Sequence, residues 1–277
     1  MHIYISADIE GVAGVVSPAQ TVASGFEYER ARQWMTSEVV AACEGAMAGG
    51  ATSVTVSDSH GNGQNLLIDQ FPETVRIVRN WPRPLGMMEG VEQPDTAGAF
   101  LVGYHTGAHH ADGVLAHTIS GRLIAGLRIN GEASTETEFS AAMAAHFGVP
   151  VLLATGDDRF VSHAKECLTP GAVTVSTKRA TGRYSADSST PAASCAAIRH
   201  AAEEAVLRLP LEPEKPLAGP IDLEIQFQRH LPAELLAFLP GFERRGATAL
   251  AITVQDIPAA SRVLAFISAV QFDEQLP

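Results

Sequence analysis

Three carboxylates and two imidazoles fall where an α/β chain would gather a ligand site: Asp8, Glu10, His60, His105 and Glu136. Asp8 and Glu10 follow the apolar run HIYISA, and His60 follows ATSVTVS within SDSHGNG. His105 follows an apolar stretch in LVGYHTG, and Glu136 stands at the start of a helical stretch that Ser134 can cap. In an open α/β sheet, ligands bind beyond the carboxyl ends of the strands, which is where such loops lie.

Residues two apart on extended backbone face the same way, so Asp8 and Glu10 share a side. Two carboxylates so close repel each other, and one holds its proton unless a cation joins them. Adding His60 and His105 makes a mixed oxygen and nitrogen set, which suits Zn²⁺ better than Mg²⁺ or Ca²⁺. Five such ligands exceed the three usual at one catalytic zinc and match two ions with a bridging carboxylate. Two metals roughly 3.5–4 Å apart generate hydroxide at neutral pH and polarise an amide carbonyl, so amide hydrolysis is the expected chemistry.

Each position also has a plainer reading. Asp-x-Glu after a strand is what a solvated turn looks like, and a lone loop histidine is commonly a surface residue. Glu136 near a helix N-terminus is first of all a favourable dipole partner. His117, in VLAHTIS, stands in an apolar, strand-like run, where a histidine is either a hydrogen-bonded core residue or, if it faces metals, a proton carrier or oxyanion stabiliser. His109 and His110 are adjacent and do not converge on one ion. Gly61-x-Gly63 has neither the third glycine nor the Gly-Lys-Ser/Thr of a nucleotide loop, and no Gly-x-Ser-x-Gly is present.

The elements that must position these residues alternate. Strands are expected at His2–Ala7, 51–57, Val75–Val78, 99–103, 123–129, 149–154 and, more weakly, 173–176. Helices are expected at Tyr28–Ala48, which stops at Gly49-Gly50, from Ser134 to about His146, from Gly156-Asp157-Asp158 onward, and at Pro191–Leu207. The stretch LPLEPEKPLAGP, residues 209–220, reads as a linker. Beyond it come strands at Ile221–Phe227 and 247–254 and a helix at 257–270 with Pro258 at its start. The expected class is α/β: a mostly parallel central sheet flanked by helices in a metal-binding catalytic domain, residues 1–208, with a smaller C-terminal α/β subdomain, residues 221–277.

Composition excludes several functions. The 277 residues carry a net charge of −12 without a long basic cluster, so nucleic acid is not an expected partner. No stretch reaches the ~20 apolar residues of a membrane span, and the opening MHIYISADIEG lacks the pattern of a secretory signal. Three cysteines without a Cys-x-x-Cys suit a reducing compartment, and a cytoplasmic location is expected.

Taken in order, SADIEG (residues 6–11), YERARQWMTSE (28–38), SDSHGNGQNLL, MMEG (87–90), GYH (103–105), VLAHTIS, VPVLLATGDD (149–158) and LPGFE (239–243) resemble the DppA-type D-aminopeptidases, zinc metallopeptidases first known from a bacterial dipeptide-transport operon. The family's opening signature, Ser-x-Asp-x-Glu-Gly, is matched by Ser6, Asp8, Glu10 and Gly11. The resemblance implies that Asp8, Glu10, His60, His105 and Glu136 hold two zinc ions per subunit. Counting back from VPVLLATGDD selects Glu136 over Glu132 and Glu138, with Thr135 where the family has glycine. His117 falls on the family's catalytic histidine, often described as a nucleophile, and Lys178 on a family lysine. The resemblance further implies a homodecamer of two stacked pentamers that admits short peptides.

The function expected is therefore a binuclear zinc aminopeptidase on short peptides, D-Ala-D-Ala-like ones foremost, with His117 assisting attack on the amide. The alternatives are a two-metal amidohydrolase on a non-peptide amide and a metal- or peptide-binding protein without turnover.

Overall fold

The computed structural model describes residues 1–270 and Phe272. Strand β1 (His2–Ala7) is buried along its whole length, as a central strand covered on both faces should be. It pairs in parallel with β2 (Ser53–Asp58) on one side and β4 (Thr96–Tyr104) on the other. With β3 (Val75–Val78), β7 (Val151–Asp157), β8 (Val173–Gly182) and β9 (Ser185–Ser188) they form a seven-stranded sheet in the order β3-β2-β1-β4-β7-β8-β9. Every pairing in it is parallel except β8 with β9.

Alternation along β1 sends side chains to two cores. Ile3, Ile5 and Ala7 join the core under α1 (Tyr28–Ala48) and α4 (Pro191–Leu207), which pack against each other. Tyr4 points the other way, into a core shared with α2 (Glu136–His146), α3 (Asp158–Cys167), α6 (Ile257–Ala269) and a second sheet.

That second sheet has five strands in the order β11 (Phe242–Arg244), β12 (Ala249–Val254), β10 (Ile221–Phe227), β5 (Ile124–Ile129) and β6 (Glu132–Ala133), paired antiparallel throughout. A short helix, α5 (His230–Leu236), follows β10. The boundary expected at residues 209–220 therefore does not separate the two sheets. β5 and β6 lie within residues 1–208 yet complete the sheet made by 221–254, because Leu223 and Ile225 pair with Ile129 and Leu127. One continuous core joins the two layers: Leu101 and Tyr104 of the large sheet belong with Leu127, Ile225 and Leu250 of the small one.

Two local expectations also change. The stretch around His117 is a loop, not a strand. The cap of α2 is Thr135 rather than Ser134: its Oγ1 accepts from the Glu138 amide while the Glu138 carboxylate accepts from the Thr135 amide. None of the described helices is long and apolar enough to cross a membrane.

Candidate metal centre

The chain runs from β1 outward to β2 and β3, then returns to the other side of β1 as β4. The sheet order thus reverses at β1, and the crevice beyond the carboxyl ends of β1, β2 and β4 is where such a fold binds ligands. All five expected residues reach it.

Asp8 lies at the midpoint. Its Oδ1 is 3.1 Å from His60 Nδ1 and its Oδ2 is 3.4 Å from His105 Nε2. Glu10 Oε2 is 3.1 Å from the same His60 nitrogen, and Glu136 Oε1 is 3.6 Å from His105 Nε2. Two clusters result, Asp8–Glu10–His60 and His105–His117–Glu136, within each of which one ligand atom per residue lies within 4.8 Å of the others. Of the three neighbouring glutamates, Glu136 enters the centre, Glu138 serves the helix cap, and Glu132 is exposed on β6.

Close approach of the strand ends explains the glycine after Glu10. The Gly11 amide donates to the Gly103 carbonyl oxygen at 2.8 Å, and a Cβ on Gly11 would lie 2.1 Å from the Tyr104 carbonyl oxygen. Gly103 has φ +75°, and its own Cβ would strike the Asp8 carbonyl oxygen at 2.2 Å. No side chain fits at either place.

The segment after β2 is held by its own polar groups. Asp58 accepts from the backbone amides of Asn65 and Leu66 and from the Asn65 side chain, which also donates to the His60 carbonyl oxygen. Tyr28 donates its hydroxyl to Asn65 Oδ1 at 2.8 Å, tying this loop to α1.

Each of the three histidines has one ring nitrogen committed to a backbone carbonyl. His60 Nε2 bonds Thr21 at 2.7 Å, His105 Nδ1 bonds Thr106 at 2.9 Å, and His117 Nδ1 bonds Leu115 at 2.9 Å. A carbonyl only accepts, so each ring donates there and turns its other nitrogen toward the carboxylates. Metal-ligating histidines are oriented by this kind of outer bond.

Electrostatics agree with a site built for cations. Burial would raise the Asp8 carboxyl, but the imidazoles of His105 and His60 hold it well below the usual range. Burial would lower His60 and His105; carboxylates, Glu10 foremost for His60 and Glu136 for His105, instead push His60 well up and His105 to about 10. Without metal, protons on these rings balance the buried acids. Glu10 Oε2 and His105 Nε2 are nevertheless buried without a hydrogen bond. Buried polar atoms ordinarily have partners, and a cation between the clusters would supply both. The donor set of carboxylate oxygen and imidazole nitrogen fits zinc.

His117 reaches the centre on a strained loop. Leu115 and Ile119, two residues to either side, adopt positive φ of 56° and 62°, which is costly for a β-branched residue. The Ile119 amide donates to Glu136 Oε1, the His117 ring stacks on His105 at 4.1 Å, and His117 Nε2 is 3.8 Å from Glu136 Oε1. Its side chain is 20% exposed, against 1% for His105.

Lys178 has a role that its position in the sequence did not disclose. Its ammonium is buried and donates to the carbonyl oxygens of Glu10, Val12 and Val15, so all three protons fix the loop that carries Glu10. Burial lowers its pKa to about 8. His109 and His110 stay out of the centre, as expected; His109 packs on His110, and His110 beside His163, which bonds Thr135 at the head of α2.

Comparison with known proteins agrees in family and fold. A family profile described as D-aminopeptidase matches residues 1–266. A D-aminopeptidase of Bacillus subtilis (strain 168) is 31% identical over 272 residues, covering 95% of each chain. The solved structure of the Zn-dependent D-aminopeptidase DppA from Bacillus subtilis, described as a self-compartmentalizing protease, is similar with a TM-score of 0.92 and 26% identity over 100% of both chains.

Proposed function

This chain belongs to the D-aminopeptidase family, and from that premise we propose that it is a two-zinc aminopeptidase removing the N-terminal residue from short peptides with a D-residue at that end. The placement of Asp8 carries the reading: its two oxygens face different histidines, as a carboxylate shared by two ions would. Glu10 and His60 would complete one ion's ligands, and His105 and Glu136 the other's. Bound zinc supplies a Lewis acid that polarises the amide carbonyl and makes water a nucleophile near neutral pH.

The chain's own groups do the rest. Leu115 holds the His117 ring through Nδ1, so Nε2 faces the cavity beside Glu136. From there it takes the proton of the attacking water and delivers it to the departing amine. Lys178 and Asn65 keep the Glu10 and His60 loops in place without touching substrate.

A second reading follows from the distances. His117 Nε2 is near enough to Glu136 and His105 to be a ligand itself. Removing the ring separates the two: a proton carrier leaves zinc content intact, whereas a ligand takes an ion with it.

The three free thiols fit a reducing compartment, and we place the enzyme in the cytoplasm. We also assign it to a homo-oligomer, a decamer by resemblance, in which exposed apolar residues such as Phe26 and Phe238 would find cover. Metal analysis of the purified protein, with paired D- and L-alanyl dipeptides as substrates and light scattering for mass, tests cofactor, reaction, chirality and assembly. Absence of zinc-dependent peptide cleavage would sink the proposal, and cleavage of a non-peptide amide alone would favour an amidohydrolase.

A further inference from the structure

A cavity of about 430 Å³ opens directly beside the metal centre. Asp8, His60, His117 and Glu136 line one end of it. Away from that end the wall is mostly apolar, with Trp81, Leu85, Met88, Phe139 of α2, and Leu264 and Ala265 of α6, interrupted only by uncharged serines. A volume of this size lies in the range of pockets that enclose whole small molecules, roughly 300–1,000 Å³.

Helix α6 makes the room. Ser261, Leu264, Ala265 and Ser268 recur at the spacing of one helical face, and three of these four side chains are small. Outside the metal end, no lysine, arginine or carboxylate among the described residues lines the cavity. An ionised side chain entering it would lose water and gain no counter-charge. A methyl group would leave most of the wall without contact, and the dispersion attraction of those atoms unused.

We infer that this cavity receives the side chain of the substrate's N-terminal residue, and that the enzyme selects large apolar residues there over alanine and over charged ones. The inference rests on the peptidase reading above and adds the identity of the preferred residue. The cavity meets the centre at His60, His117 and Glu136, so a residue whose carbonyl lies at the metals has this space next to its Cα substituent.

The test is a series of tripeptides, D-Xaa-Gly-Gly, with Xaa as Ala, Leu, Phe, Lys or Glu, assayed with the zinc-loaded enzyme. The expected kcat/KM for D-Leu or D-Phe exceeds that for D-Ala by about tenfold or more, since a single methylene in an apolar pocket is worth about that much. D-Lys and D-Glu fall below D-Ala. Ala265→Phe, which fills the cavity, lowers the D-Phe to D-Ala ratio of kcat/KM by at least about tenfold, and Ser268→Leu carries the same comparison if that variant does not fold. Cleavage led by D-Ala, or a ratio unmoved in a folded variant, overturns this inference and leaves the peptidase reading standing. Cleavage of none of the peptides overturns both.

Discussion

Lys178 donates to the carbonyl oxygen of Glu10 from 168 residues downstream. With those of Val12 and Val15 it binds three backbone oxygens, and of these only Val12's also accepts from a backbone amide, that of Val15. The loop following β1 is thus held by an ammonium in the way a metal ion would hold it.

Lys178→Met is expected to weaken zinc binding by about 10- to 100-fold, as loss of a supporting group around a metal site does. Each orphaned carbonyl adds about 1–3 kcal/mol of instability, so melting temperature should drop as well. Lys178→Arg should not rescue, because a planar guanidinium cannot point donors in the same three directions. Competition with a chelating dye measures the affinity; an unaltered value would show that Glu10 is placed by other means.

Asp8→Asn removes the charge that both clusters share. Titration of the unaltered apoprotein is expected to saturate at two zinc ions, and of the variant at fewer, with much weaker affinity. Zinc should also raise the melting temperature of the unaltered protein, by the equivalent of about 2.7 kcal/mol per bound ion at a free concentration a hundredfold above Kd. Calorimetry reads both, and full two-site binding by the variant would contradict the shared role.

His117→Ala should lower kcat by about 10²- to 10⁴-fold, the usual contribution of a positioned acid–base group. Zinc content should not change. Stopped assays combined with elemental analysis decide the matter, and loss of one ion per chain would make His117 a ligand.

Glu38, fully buried beneath the same loop, predicts a pH effect on stability. Burial raises its pKa from 4.5 to about 7, against bonds from Ser194 and the Ala13 amide and the charge of Lys178. Below pH 4.5 the group is protonated whether the chain is folded or not, and the stability linked to it is fully present. Between pH 4.5 and about 7 the unfolded chain releases the proton while the folded chain keeps it, so stability falls as pH rises. The loss amounts to about 3 kcal/mol above that window. Glu38→Gln should flatten this slope, compared by urea unfolding at pH 4.5 and 8. Parallel curves for the two proteins would refute it.

The convergence of the candidate residues was largely legible because they follow strand ends. Asp8, Glu10, His60 and His105 each come one to three residues after an apolar run, and the parallel sheet puts those ends together. Local signals also marked Ile221–Phe227 and Pro191–Leu207 at their observed bounds. What stayed hidden depends on partners far away in the chain. The pattern of Ile124–Ile129 announces a strand, but not that it pairs with Ile221–Phe227. VLAHTIS has the composition of a strand, yet its residues form a loop whose contacts with Glu136 and Thr106 override β propensity. The contacts of Lys178 stayed hidden because its three acceptors are backbone atoms, which carry no mark in a sequence.

The span from Asp8 to Lys178 also fixes a sequence of events during synthesis. The proposed ligands at 8, 10, 60, 105 and 136 are translated well before the residue that secures the first of their loops. A growing chain that stops short of β8 therefore has every proposed metal donor but not the ammonium under Glu10. On the two-zinc reading, firm zinc capture waits for a chain grown past Lys178, and ions bound by a shorter nascent fragment would sit in an unlocked and exchangeable cradle.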